Sequence, residues 1–246
     1  INKELKGAKT ITILKNDVDP GLENGNAWLE EAVRAYWNAT NAEFATGKYG
    51  EVRNSKTTGI YLGIVRSINQ GLYENKGPEA MAVYTLTFLS ADASPIKFEV
   101  KHPRIFLNKD FTELDVIYAV RLLNSYAEVS IKGTYDNNVR VSTSQTPPLY
   151  RISELNKGKL KGKTLLIDKE MLGKKTDEAT IKEAYPYAVK LATKEEIMAA
   201  VKSKDSKYAY VQSSMFYLDY SNTDIGFATA PVVIDDGKIT ICHVTS

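Results

Sequence analysis

The sequence predicts a mixed α/β fold made of two related β-α-β-α-β-β lobes, which come from an internal duplication and contain mixed sheets. The opening of the chain is repeated: residues 2–11, NKELKGAKTI, return as residues 156–165, NKGKLKGKTL. Residues 43–46 (EFAT) are echoed by residues 190–193 (KLAT), and residues 59–62 are echoed more loosely by residues 208–211. Apolar strand patterns also alternate with helical patterns in both halves.

The bulk composition is that of an ordinary folded protein. The 246 residues are 43% hydrophobic and 25% charged, and their net charge of +2 gives no electrostatic reason to expect nucleic acid or a membrane surface as a partner. No apolar run approaches the roughly 18 residues that span a bilayer, so no transmembrane segment is predicted. The single cysteine, Cys242, excludes an intramolecular disulfide and a cysteine-based structural zinc site.

The first lobe is expected at residues 1–150. It opens with a strand at Ile11 to Lys15, followed by a helix from about Ala27 to Trp37 with Asn24 or Asn26 as its cap. The elements expected next are a short strand at 43–45, a helical turn at 48–53, a strand at 60–68, and a hairpin of strands at 80–89 and 96–100.

An additional helix is predicted at 112–126, with Leu114, Ile117 and Leu123 on one side. The second lobe has no counterpart of it, so it is expected to pack between the lobes or to extend the first one. Residues 130–153 contain Asp136-Asn137-Asn138 and two adjacent prolines, and they form the predicted linker.

The second lobe is expected at residues 155–246. Thr193 and Glu196 have the spacing of a capping box, and Pro186 ends the preceding helix. The predicted elements are a strand at 165–168, a helix from 176–178 to 185–186, a strand at 188–191, a helix through 197–201, a strand at 208–216, and a hairpin of 226–234 and 238–244 around Asp235-Asp236-Gly237.

The residue types that most often carry catalysis do not form a recognisable motif. His243 follows Cys242 in a strand, where neighbouring side chains point to opposite faces, so the two do not predict a dyad. His102 is remote in sequence from both, and the histidines have no metal-ligand spacing. Phosphate-binding glycine loops are lacking too, and no metal and no cofactor is therefore predicted.

Carboxylates after the first strand of each lobe are the candidate ligand-binding residues. Asp17 and Asp19 lie in an oxygen-rich loop, and Asp168 ends the corresponding strand of the second lobe. Open α/β sheets often bind ligands at such strand ends, and a hard cation such as calcium would suit these oxygens. However, the spacing does not match an EF-hand loop, and helix capping and turn formation explain the same residues. No catalytic residue is predicted.

Tyrosine is frequent, with 15 tyrosines against 7 phenylalanines. Tyrosines could line a carbohydrate or peptide surface, whereas half-buried strand faces also favour them. The tyrosines concerned are Tyr84, Tyr185, Tyr187, Tyr208, Tyr210, Tyr217 and Tyr220.

Residues 160–169 (LKGKTLLIDK) and 183–187 (EAYPY) carry a resemblance that covers mainly residues 155–215. These segments are similar to those of uncharacterised exported proteins of Bacteroidetes-type bacteria. The resemblance implies export to the periplasm or the medium and transfers no functional residue. The chain also begins at Ile1 without a methionine, which either a removed signal peptide or a trimmed sequence would produce.

The leading functional hypothesis is a non-enzymatic exported protein that binds a small ligand or a macromolecular partner, since paired lobes can form a cleft. One alternative is a hydrolase that uses dispersed carboxylates at the lobe junction, such as Asp17 with Asp168. Such a pair would have to lie within about 10 Å. Another alternative is a structural assembly component whose hairpins pair edge to edge.

Overall fold

The structure is a computed structural model of the whole chain. Within it, the described residues are 5, 7–16, 19–48, 59–68, 82–90, 105–107, 110–132, 156, 158–172, 178–217, 225–234 and 243–245.

Ten strands and four α-helices lie among the described residues. In the first half, up to residue 132, the elements are β1 (Thr10–Lys15), α1 (Glu23–Tyr36), β2 (Asn41–Thr46), β3 (Ile60–Ile68), β4 (Ala82–Ser90), β5 (Ile105–Leu107) and α2 (Glu113–Lys132). In the second half, from residue 156, they are β6 (Thr164–Asp168), α3 (Glu178–Ala184), β7 (Val189–Ala192), α4 (Lys194–Ser203), β8 (Tyr208–Tyr217), β9 (Ile225–Val233) and β10 (His243–Thr245).

The strands form a mixed arrangement, which confirms the prediction of a mixed α/β fold. Eight of them follow the order β10-β9-β8-β5-β4-β3-β1-β2, and β6 and β7 form a parallel group beside β8. Pairing is parallel for β1 with β2 and β3, and for β6 with β7 and β8. The other pairs are antiparallel. The predicted pairing of the last two strands is therefore present.

Strand order and register are the same in the two halves. Each half has its first strand between the second and third strands, followed by two antiparallel strands. Ile13 pairs with Phe44, and Ile167 pairs with Leu191 in the second half. The sequence repeats align Ile13 with Ile167 and Phe44 with Leu191. The same positions are therefore paired in the two halves.

β8 joins the halves. β9 pairs along β8 from Ala209 to Tyr217, which occupies one edge of the strand. The other edge is shared, because β6 pairs near Tyr210 and β5 pairs through Phe106 with Met215. A single long strand thus belongs to the sheets of both halves.

The helices cover the sheet on two faces. Alternate side chains of β6 point to opposite sides: Leu166 belongs to the main hydrophobic core, whereas Leu165 and Ile167 belong to a smaller core with α3. The main core contains buried residues of both halves. α2 contacts α1, β4, β5 and β8 and is buried on nearly every side, so it packs against elements of both halves.

Two helix ends differ from the prediction. α1 begins at Glu23 instead of about Ala27, so the prediction that Asn24 or Asn26 caps it is wrong. The Asn26 side chain instead bonds to the main-chain N–H and carbonyl of Asn16 and holds the loop before the helix. α2 continues to Lys132, which includes the first three residues of the predicted linker.

Several predictions fall outside the described residues. They concern Asp17, the strand at 96–100, the linker from residue 133 onwards, the turn at 235–237, and all but the first residue of the helical turn at 48–53. No described helix is long and apolar enough to cross a membrane.

Candidate functional site

Asp19 and Asp168 both form turns after the first strand of their half. Asp19 Oδ1 accepts a hydrogen bond from the Gly21 N–H at 3.0 Å and caps the 3₁₀ turn Pro20–Leu22. Asp168 Oδ1 accepts one from the Glu170 N–H at 2.9 Å and caps the 3₁₀ turn Lys169–Met171. Their strands, β1 and β6, are not neighbours in the sheet. Turn formation thus accounts for both residues, and Asp17 lies outside the described residues.

Asp168 also belongs to a small charged cluster. It is 4% exposed, and its Oδ2 lies 4.0 Å from Nζ of Lys194. The same ammonium lies 3.0 Å from Glu170 Oε2, and this hydrogen bond is the main reason that the pKa of Lys194 is raised. In the part of the chain that the structure describes, no group of three or more histidine, cysteine and acidic side chains could hold a metal ion.

The strongest candidate site is a polar group between the halves, the interunit seam, formed by the buried Arg121, Tyr210 and Gln212 and the half-buried Tyr36 and Asp115. Asp115 and Arg121 come from α2, Tyr36 ends α1, and the other two come from β8. Gln212 Nε2 donates to Asp115 Oδ1 at 2.7 Å. Because α2 is enclosed on nearly every side, some of its polar side chains, Arg121 among them, lie in the interior, whereas Asp115 in its first turn is half-buried.

Arg121 is the unusual member of the seam. It is 3% exposed, its guanidinium lies 4.0 Å from the centre of the Tyr36 ring, and Nη2 donates to the Ile234 carbonyl at 3.1 Å. Nε and Nη1 have no hydrogen-bond partner among the described residues. A guanidinium stays charged, and leaving such donors buried without an acceptor costs more than the roughly 1 to 3 kcal/mol of a neutral group.

Tyr210 adds a third buried donor. Its side chain is fully buried, and its hydroxyl has no hydrogen-bond partner within the described part of the chain. Burial raises the pKa of Tyr210 to about 12, and the nearby Arg121 charge opposes part of that rise. The approach of Arg121 to this hydroxyl falls outside the geometry of a hydrogen bond. The phenol is therefore a neutral O–H donor throughout the physiological range.

A few polar contacts close the seam on the side of α4. Lys202 Nζ lies 2.8 Å from Glu113 Oε2, and the Tyr36 hydroxyl donates to the Val201 carbonyl at 3.5 Å. Lys204 Nζ donates to the Ala35 carbonyl at 3.4 Å and lies over the Tyr36 ring. The lysines are at the surface, so the end of α4 is held to the first half by contacts that are individually weak.

Sequence reasoning did not single out the seam. Its only local signal is one arginine within the apolar run of α2, and burial of Arg121 depends on packing by both halves. Tyr210 was among the tyrosines considered for a surface, yet it is fully buried, as is most of Tyr84 and Tyr185. Tyr187, at 39% exposure, remains a surface residue.

Comparison with known proteins assigns no function to the interunit seam. No protein-family model matches the chain, and no curated protein or solved structure matches it either.

Proposed function

We propose that the protein is a non-enzymatic binding protein that receives its ligand at the interunit seam. The observation that carries this proposal is the pair Arg121 and Tyr210, whose buried donors lack acceptors among the described residues. Binding sites commonly combine apolar walls with a few convergent polar groups between structural units. The seam has this composition, because Tyr210 belongs to the main hydrophobic core, Tyr36 packs against it, and Arg121 is buried beside them.

The two halves are proposed to descend from a duplicated unit. The repeated strand order and the equivalent pairs Ile13–Phe44 and Ile167–Leu191 support this origin. An experimental structure tests it: strands β1–β5 should superpose on β6–β10 in the same register. A register that differs by one residue would argue against a common origin, because it would reverse the faces of every aligned side chain.

Export is proposed from the sequence alone. The resemblance of residues 160–169 and 183–187 to exported proteins supports it. Cell fractionation of the natural producer, with an antibody against the protein, should place it outside the cytosol. Recovery in the cytosolic fraction would contradict the proposal.

A thermal-shift screen tests the binding function. Metals, sugars, peptides and nucleotides are added to the protein, because a ligand that binds the folded state raises its melting temperature. Hits are measured again on Tyr210→Phe, which removes one seam hydroxyl, and on Tyr187→Phe, which removes an exposed one. We expect the first substitution to weaken binding and the second to leave it unchanged. Equal effects of the two substitutions on ligand binding would contradict the proposal, and so would turnover of a bound compound.

An assembly role is the second candidate. It is favoured by the strands at the ends of the eight-strand order, β10 and β2, which each pair with one neighbour in that order. Open strand edges can pair with a further chain. Light scattering across a range of concentrations should show association; a monomer at every concentration would exclude this role.

A further inference from the structure

We propose that the interunit seam recognises a carboxylate, held between the Arg121 guanidinium and the Tyr210 hydroxyl. This inference rests on the proposed binding function and specifies the chemical class of the ligand. Three donors of these two side chains have no hydrogen-bond partner among the described residues: Nε and Nη1 of Arg121, and the phenolic O–H of Tyr210.

The charge balance of the seam favours an anion with a single negative charge. Arg121 contributes one permanent positive charge. Asp115 makes no direct contact that would neutralise it: the carboxylate accepts from Gln212 and Thr112, and Nε and Nη1 of Arg121 have no partner among the described residues. A monoanion would balance the buried charge of Arg121. A dianion such as hydrogen phosphate would leave a negative charge in the low-dielectric interior near Asp115.

The geometry favours a planar group. The Tyr36 ring covers one face of the guanidinium at 4.0 Å, and the Ile234 carbonyl occupies Nη2. The two oxygens of a carboxylate can accept in the plane of the guanidinium, from the second N–H of Nη2 together with the N–H of either Nε or Nη1 on the same edge. The Tyr210 hydroxyl adds a donor that stays protonated, since burial raises its pKa.

Access requires the seam to open. Arg121 is 3% exposed, so a ligand reaches it only when contacts such as Lys202–Glu113 and Gln212–Asp115 separate. Local opening of this kind is rarer than diffusional encounter, so binding should be slow. Small carboxylates need the smallest opening, which makes formate and acetate the appropriate probes.

The experiment exchanges sodium chloride for sodium formate or acetate at constant ionic strength, with phosphate as a separate arm. The melting temperature is measured, and binding is followed directly by line broadening of ¹³C-formate. We expect a saturable stabilisation by formate and acetate and none by phosphate. Arg121→Met should raise the apparent Kd for formate at least about tenfold. Arg34→Met, which removes an exposed arginine that pairs with Glu30, should leave it unchanged.

Tyr210→Phe keeps the shape of the site and removes one donor. It should weaken formate binding by about tenfold, and it provides the test if Arg121→Met does not fold. Equal stabilisation by chloride, phosphate and formate would overturn the proposal, as would a formate response that persists in Tyr210→Phe. One further result would overturn it: Asp235→Asn changing the stability measured without formate as much as Arg121→Met does. The Asp235 carboxylate of the chain itself would then be the partner of Arg121.

The outcomes distinguish this inference from the binding function on which it rests. A neutral ligand that binds the wild type and loses affinity in Tyr210→Phe, without any formate response, would leave the binding function standing and remove the carboxylate. Stabilisation by formate that occurs only in the wild type and in Arg34→Met supports both the binding function and the recognition of a carboxylate.

Discussion

The side-chain amide of Asn124 hydrogen-bonds to the turn at Asn38 through both its oxygen and its nitrogen. Its Oδ1 accepts from the main-chain N–H groups of Asn38 and Ala39 at 2.9 and 3.0 Å, and its Nδ2 donates to Asn38 Oδ1 and Glu128 Oε1. The side chain is 5% exposed, so α2 fixes the connection between α1 and β2 through a buried, satisfied polar contact.

Asn124→Ala should therefore destabilise the protein by about 2 to 3 kcal/mol, since it leaves two main-chain donors without their acceptor. Urea denaturation measures the loss. Asn41→Ala, at an exposed position of β2, should stay within about 0.5 kcal/mol of the wild type. A similar small change for Asn124→Ala would contradict the structural role given to this amide.

Asn124→Asp should make stability depend on pH. The carboxylate keeps the oxygen that accepts from the Asn38 and Ala39 N–H groups, but it replaces the Nδ2 donor by a negative oxygen facing Glu128 and Asn38 Oδ1, which raises the pKa of the new side chain. Because the folded state then binds the proton more tightly, stability should rise as the pH falls through that pKa. Denaturation curves at pH 7 and pH 5 show the effect, and a difference no larger than that of the wild type would refute it.

Gly25→Ala should destabilise α1, although alanine is normally about 1 kcal/mol better than glycine in a helix. A Cβ at Gly25 would lie 2.8 Å from Cζ and 3.2 Å from Cε2 of Phe111, whose ring also contacts Trp28 and Tyr84. Overpacking of this kind costs about 1 to 3 kcal/mol.

A double-mutant cycle with Phe111→Leu checks the cause. The double variant should lose less stability than the two single losses combined, because leucine vacates the space that the new methyl group needs. If Gly25→Ala proves as stable as the wild type, the close approach of Phe111 is not a constraint on this helix.

Tyr210 should make the protein sensitive to alkali. Its pKa is about 12 in the folded state, against an ordinary value near 10, so the unfolded chain loses this proton first as the pH rises. Stability should consequently fall between about pH 10 and 12, by roughly 2 to 3 kcal/mol for this group. Burial also raises the pKa of Tyr185, which adds to the loss.

Tyr210→Phe should remove most of this alkaline loss, whereas Tyr187→Phe, at an exposed position, should retain it. Urea denaturation at pH 9 and pH 11 compares the three proteins. Equal slopes of stability against pH in all three would show that the Tyr210 hydroxyl is not the group responsible.

The capping box of α4 predicts a loss of about 1 kcal/mol for Thr193→Ala. Thr193 Oγ1 accepts from the Glu196 N–H at 3.3 Å, and Glu196 Oε2 accepts from the Thr193 N–H at 2.9 Å. Thr193→Ser keeps the hydroxyl and should retain stability. Hydrogen exchange in the first turn of α4 should accelerate in the alanine variant only; unchanged exchange there would refute the cap.

Acid should weaken the same cap. The hydrogen bond from Lys190 is the main cause that lowers the pKa of Glu196, and the Thr193 main-chain bond adds to it. A lowered folded pKa means that the stabilisation is present above the unfolded pKa near 4.5 and is lost as the pH falls through the folded value. Glu196→Gln should lose less stability on acidification than the wild type does.

Patterns over a few residues of sequence correctly predicted the features that interactions between neighbouring residues determine. The bounds of β3 at Ile60 and Ile68 and the cap formed by Thr193 with Glu196 follow from apolar runs and capping chemistry over a few residues. Asp19 and Asp168 likewise act on residues two positions along the chain. Such contacts need no knowledge of the remaining fold.

Contacts between residues that are far apart in the sequence account for the features that the sequence did not predict. Asn26 looked like a helix cap, but a bond to Asn16 across the loop fixes it inside α1. Arg121 and Asn124 sit on a helix whose periodicity suggested one apolar side, and only packing by both halves buries them. The interunit seam therefore has no signature in any short window of the sequence.

The shared strand β8 has a consequence for biosynthesis. Phe106 of β5 pairs with Met215 of β8, more than a hundred residues later, so this contact closes a long loop and forms late. While the chain is being made, β5 can pair with β4 but has no β8 beside its other edge. Unpaired edges recruit other chains, so nascent or truncated forms that end before β8 should aggregate more readily than the complete protein.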